Sequence, residues 1–276
     1  MNNLGIFDDG YVYHILQKGQ NKDQEFLKTQ NFLNWVINDH PDLFSKSAKV
    51  KFINYGDTQL VYVIDDQGYK RTLLVGQPQV KLKTVKTEYE NLLKLYQINP
   101  DLVVCPTNYF CNGQREAYLT PYIYQARCIA SSHYGYGSYV PEPTYHFKKY
   151  SVDDAYMICK IIIANLISLY NTEQQLGIAS CKIGGGDFIL EKGYDQIPHT
   201  TQNTLNNIHL IAAREFIKCD LIEYINLLKR EFSQVTYYND ISLKDPNILI
   251  NHKNRFAMSN EAIEDGIRLG LILKGN

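Results

Sequence analysis

The run from Thr236 to Asn260, TYYNDISLKDPNILINHKNRFAMSN, holds residue types that chemistry can use, at a workable spacing. Asp240 opens a short polar loop and Asn247 closes it, and Ile248, Leu249 and Ile250 then read as a strand. A carboxylate followed by an amide at the mouth of a strand suits phosphoryl transfer. The carboxylate orients an attacking hydroxyl, and the amide helps hold a magnesium ion on nucleotide phosphates. The plainer alternative is that Asp240 forms a turn and Asn247 caps a strand. A phosphoryl-transfer site also needs backbone N–H groups and a cation for the phosphates, so the elements around the loop must supply both.

The chain has 276 residues, enough for two lobes with a real core, and a formal net charge of −1. Nearly half the residues are apolar, as in folded globular proteins. The charge balance argues against broad attraction to nucleic acid or to an acidic membrane surface. No apolar run reaches bilayer length, and the start, MNNLGIFDDGYVYHILQKGQ, has neither the basic opening nor the apolar core of a signal peptide. The six cysteines, at 105, 111, 128, 159, 181 and 219, form no C-x-x-C pair. They read as free thiols, and a cytoplasmic location is expected.

The elements follow from periodicity. Gln24 to Asn38 carries Phe26, Leu27, Phe32, Leu33, Val36 and Ile37 at helical spacing, within an N-terminal helical extension over 1–48. Lys49–Phe52, Leu60–Asp65 and Tyr69–Val75 read as strands, with Asp66-Gln67-Gly68 as a turn. Gly56 lies in the NYGDT hairpin, which could lie over phosphates or be an ordinary turn. Lys86–Gln97 is expected to be a helix with Tyr89, Leu92, Leu93 and Tyr96 on its apolar face. Its Glu88 and Glu90 could meet a lysine of the sheet or stay in solvent. Val103–Phe110 and Glu116–Ile123 complete a five-stranded lobe over 49–123.

Residues 124–150, rich in Tyr, Gly and Pro, read as a hinge and a lid-like loop. A helical segment spans 151–276. It opens with a Ser151/Asp154 capping box and a helix apolar on most sides. A second helix is expected over Leu205–Phe232 and a final one over Glu261–Leu273. Between the first two lies CKIGGGDFIL, Cys181 to Leu190, whose three glycines lack the order of a phosphate-binding loop.

A β-rich lobe with one helix, a loop-bearing connection, and a helical lobe with D…N-I-L-I near its end resembles the protein-kinase-like superfamily. The branch it looks most like is that of aminoglycoside phosphotransferases and choline kinases. The resemblance covers about 49 to the C-terminus. It implies a two-lobed α+β fold, with a β-rich N-lobe bearing one helix and a mainly helical C-lobe. It also implies ATP and Mg2+ as cofactors, and a small-molecule or protein/peptide hydroxyl as acceptor. On this resemblance Asp240 is the catalytic base. Gly56, Lys70 and Glu90 contact the nucleotide or the lysine–glutamate pair that holds it. Asn247 and Glu261 hold the metal.

The chain departs from the family pattern at several points. Tyr238 stands at the family's histidine, and Asp240 and Asn247 are seven apart where the family has five. A spacing of five would put Ser242 at the catalytic place. The third strand has no lysine at its apolar end, so Lys70, Lys81 or Lys83 would have to reach the phosphates. A second register puts Lys182 and Asp187 in the loop, without a catalytic Asp. Two functions remain open: an ATP-dependent phosphotransferase, or a degenerate relative that binds a nucleotide, peptide or protein.

Overall fold

The computed structural model describes residues 21–55, 58–78, 80–123, 127–128, 131–132, 145–146, 152–179, 187–190, 207–233, 236–238, 255–257 and 259–275. The fold is mixed α/β, with a five-stranded antiparallel sheet and, among the described residues, five helices. The chain divides into two compact units, residues 1–93 with 105–122, and residues 94–104 with 123–276.

In the first unit, helix α1 (Lys22–Asn38) precedes strands β1 (Lys49–Tyr55), β2 (Gln59–Asp66) and β3 (Tyr69–Gly76). Helix α2 (Thr84–Ile98) then leads to β4 (Tyr109–Cys111) and β5 (Glu116–Pro121). The sheet order is β1-β2-β3-β5-β4, every neighbouring pair antiparallel, with a bulge in β1 between Phe52 and Asn54. Gln67 and Gly68 both have positive φ, 56° and 91°, the geometry that a two-residue hairpin between twisted strands requires. Side chains alternate across the pleat. Leu60, Tyr62 and Ile64 of β2, Leu73 and Val75 of β3, and Ala117 and Leu119 of β5 therefore share one core with Phe32, Leu33, Val36 and Ile37 of α1. Asn21 caps α1 by accepting the Gln24 N–H at 3.1 Å.

Two expectations shift here. The buried residues of α2 are Val85, Glu88, Asn91, Leu92 and Leu95, and Tyr89 and Tyr96 are only half-buried. Polar Glu88 and Asn91 lie on the inner face, so counting apolar residues alone rotates the helix away from its true contact. Val103–Phe110 is not one strand: only Tyr109–Cys111 joins the sheet. Val103 instead forms a parallel bridge to Leu210, within the second unit. A proline and two polar residues, PTN at 106–108, break the alternation a long strand needs.

The described strands of the second unit are short. They are β6 (Arg127–Cys128), β7 (Ser131–Ser132), β8 (Tyr145–His146), β9 (Leu176–Ala179), β10 (Phe188–Leu190), β11 (Ile208–Leu210), β12 (Glu215–Lys218), β13 (Thr236–Tyr238) and β14 (Arg255–Ala257). The helices are α3 (Val152–Ser168), α4 (Leu221–Phe232) and α5 (Asn260–Gly275). β10 lies between β11 and β6, β9 pairs with β12, and β13 lies between β14 and β8.

The expected helix over Leu205–Phe232 is thus corrected to two strands and a shorter helix. Ile208 and Leu210 are buried on either side of half-buried His209, a period of two. The helix begins at Leu221 because Asp220 and Glu223 form a capping box: Asp220 Oδ1 accepts the Glu223 N–H at 2.8 Å, and Glu223 Oε2 accepts the Asp220 N–H at 3.3 Å.

Helix α3 is buried nearly all round, as its sequence implies, and α5 packs along it. Gly266 and Gly270 make the close approach. A Cβ on Gly266 would lie 2.8 Å from the Lys160 carbonyl oxygen. One on Gly270 would lie 2.7 Å from Ile167 Cβ and 3.0 Å from Ala164 Cα.

A polar cluster ties the same two helices together. Tyr156 donates to Asp265 Oδ2 at 2.6 Å, Lys160 Nζ is 3.9 Å from that oxygen, and Arg268 donates to Oδ1. The Tyr156 hydrogen bond, then that of Arg268, holds the Asp265 carboxyl below the usual carboxylate range. The same bond, with burial second, pushes the Tyr156 hydroxyl up to about 12. A depressed carboxyl stabilises the fold above its unfolded value, and that contribution is lost as pH falls through the folded value. Asp265→Asn is therefore expected to lower the urea midpoint at pH 7, with the gap to the wild type closing as pH falls below the ordinary carboxylate value of about 4. A gap that persists undiminished at that acidity would show that Asp265 acts by packing, not by charge. Cys105, Cys111, Cys159 and Cys219 carry free thiols. Among the described residues, no helix is long and apolar enough to cross a membrane.

Candidate functional site

In the second unit, the site-bearing residues stand where two strand pairs end. β10 and β11 pair in the register Phe188↔Leu210, Ile189↔His209 and Leu190↔Ile208, and the Ile211 N–H donates to the Asp187 carbonyl at 2.8 Å. β9 and β12 pair from Ala179↔Glu215 to Leu176↔Lys218. Asp187 therefore sits at the start of β10, Ile211 at the end of β11, and Arg214 immediately before β12.

Arg214 Nη1 donates to Asp187 Oδ1 at 2.6 Å. The Asp187 side chain is 5 % exposed and that of Arg214 24 %. The pair is a charge-assisted hydrogen bond at the edge of the core, where two apolar strands, F-I-L and I-H-L, place Phe188, Ile208 and Leu210 inside. Ala212 and Ala213, between β11 and Arg214, are buried and carry no donor or acceptor side chain. The backbone of Leu102–Val104 runs beside β11, through Leu210 N–H to the Leu102 carbonyl at 2.8 Å and Val104 N–H to the Leu210 carbonyl at 3.0 Å. This fixes the strand that sets the position of Arg214.

In the first unit, α2 is pinned to the sheet at two carboxylates. Glu88, 1 % exposed, accepts from Tyr118 at 2.9 Å and from Gln59 Nε2 at 3.0 Å, both on its Oε1. Glu116 of β5 accepts the Lys83 N–H at 2.7 Å and the Tyr109 hydroxyl at 2.6 Å. Lys83 has φ 78° and its carbonyl accepts the Thr87 N–H at 2.9 Å, so Glu116 holds a left-handed residue at the N-terminus of α2. A carboxylate there also suits the helix dipole. Burial first, then the hydrogen bond to Glu116, raises the Tyr109 hydroxyl far above its ordinary value.

The residues singled out from the sequence fall as follows. Lys70 is exposed, 3.8 Å from Asp65 on the neighbouring strand, and its Nζ lies 5.8 Å from the centre of the Tyr122 ring. Glu90 is exposed and pairs with Lys86 one turn earlier at 3.7 Å. The buried carboxylate of α2 is Glu88, which accepts from an amide and a phenol. Lys81 and Lys83 are exposed. Glu261 is exposed in the first turn of α5. Gly56, Lys182, Asp240, Ser242 and Asn247 lie outside the described residues. The described strands nearest in sequence to Asp240 and Asn247, β13 and β14, pair from Thr236↔Ala257 to Tyr238↔Arg255.

Sequence reasoning named Asp187 but missed Arg214, whose one signal is its place just after an apolar run and a small-residue pair. It named Glu88 without its partners, which are 29 and 30 residues away. Comparison with protein-family models finds no match, and comparison with curated proteins finds none either.

Proposed function

We propose that this chain is a kinase-like protein with a degenerate site, which binds a nucleotide without transferring its phosphoryl group. The observation that carries this reading is the Asp187–Arg214 ion pair. In the register where Asp187-Phe188-Ile189-Leu190 resembles the family's N-h-h-h, Asp187 falls at the metal-holding position and Lys182 at that of the catalytic base. The family's second metal-binding Asp follows the next hairpin, and here Ile211, Ala212 and Ala213 follow β11. A lysine in place of the base cannot accept the hydroxyl proton while charged, and alanine cannot hold magnesium. In the first unit, Glu88 accepts from Gln59 and Tyr118, and the third strand carries no lysine at its apolar end for the family's phosphate-binding pair. Each missing charge removes transition-state stabilisation of several kcal/mol, on the order of a thousandfold in rate.

The test is a thermal shift with ATP, run beside an assay of γ-phosphoryl transfer to water, to the chain itself and to small hydroxyl acceptors. The expected result is a rise in melting temperature, because a ligand selective for the folded state stabilises it by mass action, with no turnover. Turnover that disappears in Asp240→Asn would replace this reading with a phosphotransferase using Asp240, Asn247 and Glu261 with Mg2+. No shift at saturating ATP would sink nucleotide binding.

A further inference from the structure

We propose that the docking of α1 sets the N-terminal turn of α2 through two adjacent residues at the start of β5, Arg115 and Glu116, so that loosening α1 on one face of the sheet opens α2 on the other. Side chains alternate across a strand. Ala117 and Leu119 of β5 face the core shared with α1, and Tyr118 meets Glu88 of α2. Arg115 and Glu116 follow the same alternation, one to each helix. Arg115 Nη2 donates to Glu25 Oε2 of α1 at 2.6 Å, and Glu25 Oε1 is held by Lys28 of the same helix at 2.7 Å. Glu116 Oε1 accepts the Lys83 N–H at 2.7 Å.

Lys83 is the element that changes state. Its φ of 78° lies in the left-handed region, which a lysine adopts only where its surroundings impose it. Its carbonyl accepts the Thr87 N–H at 2.9 Å, so α2 starts from it. In a capping box the third residue of the helix is a Glu or Gln that accepts the N–H preceding the helix. Here that residue is Lys86, whose side chain has no acceptor. Glu116 accepts in its place, from 33 residues away. A second route leads from Arg115 to the same turn. Its Nη1 donates to the Gly76 carbonyl at 3.1 Å, and Gly76 packs so closely on α2 that a Cβ there would lie 3.0 Å from Val85 Cγ2. Both routes begin at the guanidinium that Glu25 fixes. When Glu25 lets go, Arg115 and Glu116 shift together, Lys83 relaxes out of the left-handed region, and the first turn of α2 opens. The turn beyond it stays, held by Glu88 to Tyr118 and Gln59.

Amide hydrogen exchange of the full chain tests this. In Glu25→Gln the amides of 83–87 should exchange about tenfold faster, together with those at the start of α1, the effect of taking the charge out of one hydrogen bond. The amides of Leu73 to Val75, in the middle of the sheet, should keep their rates. Acceleration confined to α1 would overturn the proposal. So would equal acceleration in the middle of the sheet, which marks general unfolding. Lys83→Gly separates the strained residue from plain loosening, because glycine holds a positive φ without steric cost. In the chain carrying both Glu25→Gln and Lys83→Gly, the amides of 83–87 should return to within about twofold of their wild-type rates. Undiminished acceleration with glycine in place would overturn the role of Lys83.

Discussion

Glu25→Ala is expected to cost roughly 3–5 kcal/mol of stability, the penalty for leaving a buried charge without its partner. Arg115 is the charge. Its Nη2 meets Glu25 Oε2 at 2.6 Å, its Nη1 donates to the Gly76 carbonyl at 3.1 Å, and its side chain is 5 % exposed. Burial lowers the Arg115 pKa, and Glu25 is the main opposing influence. Without Glu25 the guanidinium keeps one carbonyl and loses its counter-charge. Glu25 stands at the start of α1, so the loss should act on that helix first. Trp35, the single tryptophan, is on α1 with its ring 5.6 Å from Phe32 and 5.1 Å from His40, and its fluorescence reports the docking. Chemical denaturation followed at Trp35 should show the drop. Glu25→Ala combined with Arg115→Met should recover much of it, because the double variant no longer strands a charge. If the single variant loses less than about 1 kcal/mol, the pair behaves as a surface ion pair and the buried-charge account fails.

Gly266→Ala with Gly270→Ala is the second large effect, and two contributions of opposite sign decide it. Alanine in a helix interior is favoured over glycine by about 1 kcal/mol per site, so propensity alone predicts a gain of about 2 kcal/mol. Packing opposes it. The new methyl groups would stand 2.8 Å from the Lys160 carbonyl oxygen and 2.7 Å from Ile167 Cβ. The atoms in the way include helix backbone, which cannot rotate aside. The helices must separate, and every contact along the α3–α5 seam loosens, with overpacking costs of about 1–3 kcal/mol per site and more where backbone must move. We expect a net loss of about 2 kcal/mol or more, read as a lower melting temperature. A stabilised double variant would mean that the seam tolerates wider spacing.

How much of this was legible in the sequence depends on how far each cause reaches along the chain. The β1-β2-β3 meander was readable because alternation and the Asp66-Gln67-Gly68 turn are local. The existence of α1, α2, α3 and α5 was readable from apolar periodicity. The true face of α2 was not, because Glu88 belongs inside only when Tyr118 and Gln59 are there to donate. The strands at 208–210 and 215–218 were missed because three or four residues cannot establish a period against a neighbouring helix pattern. In the candidate site, the apolar F-I-L behind Asp187 was visible. The partner Arg214, 27 residues on, became visible only once the strand register brought it back. Glu25 and Arg115 are separated by 90 residues, and no local pattern links them.

Among the described residues, the sheet order leaves β1 and β4 at the two borders, each with a row of backbone groups that another chain could pair with. β4 spans only three residues, too short a template to recruit one. β1 spans seven, but Lys49 and Lys51 are exposed on it and the bulge between Phe52 and Asn54 bends its ladder. An incoming strand would have to neutralise two ammonium groups and match an irregular hydrogen-bond spacing. This edge is therefore guarded against edge-to-edge self-association, and replacing both lysines with threonine should increase aggregation on concentration, read by light scattering.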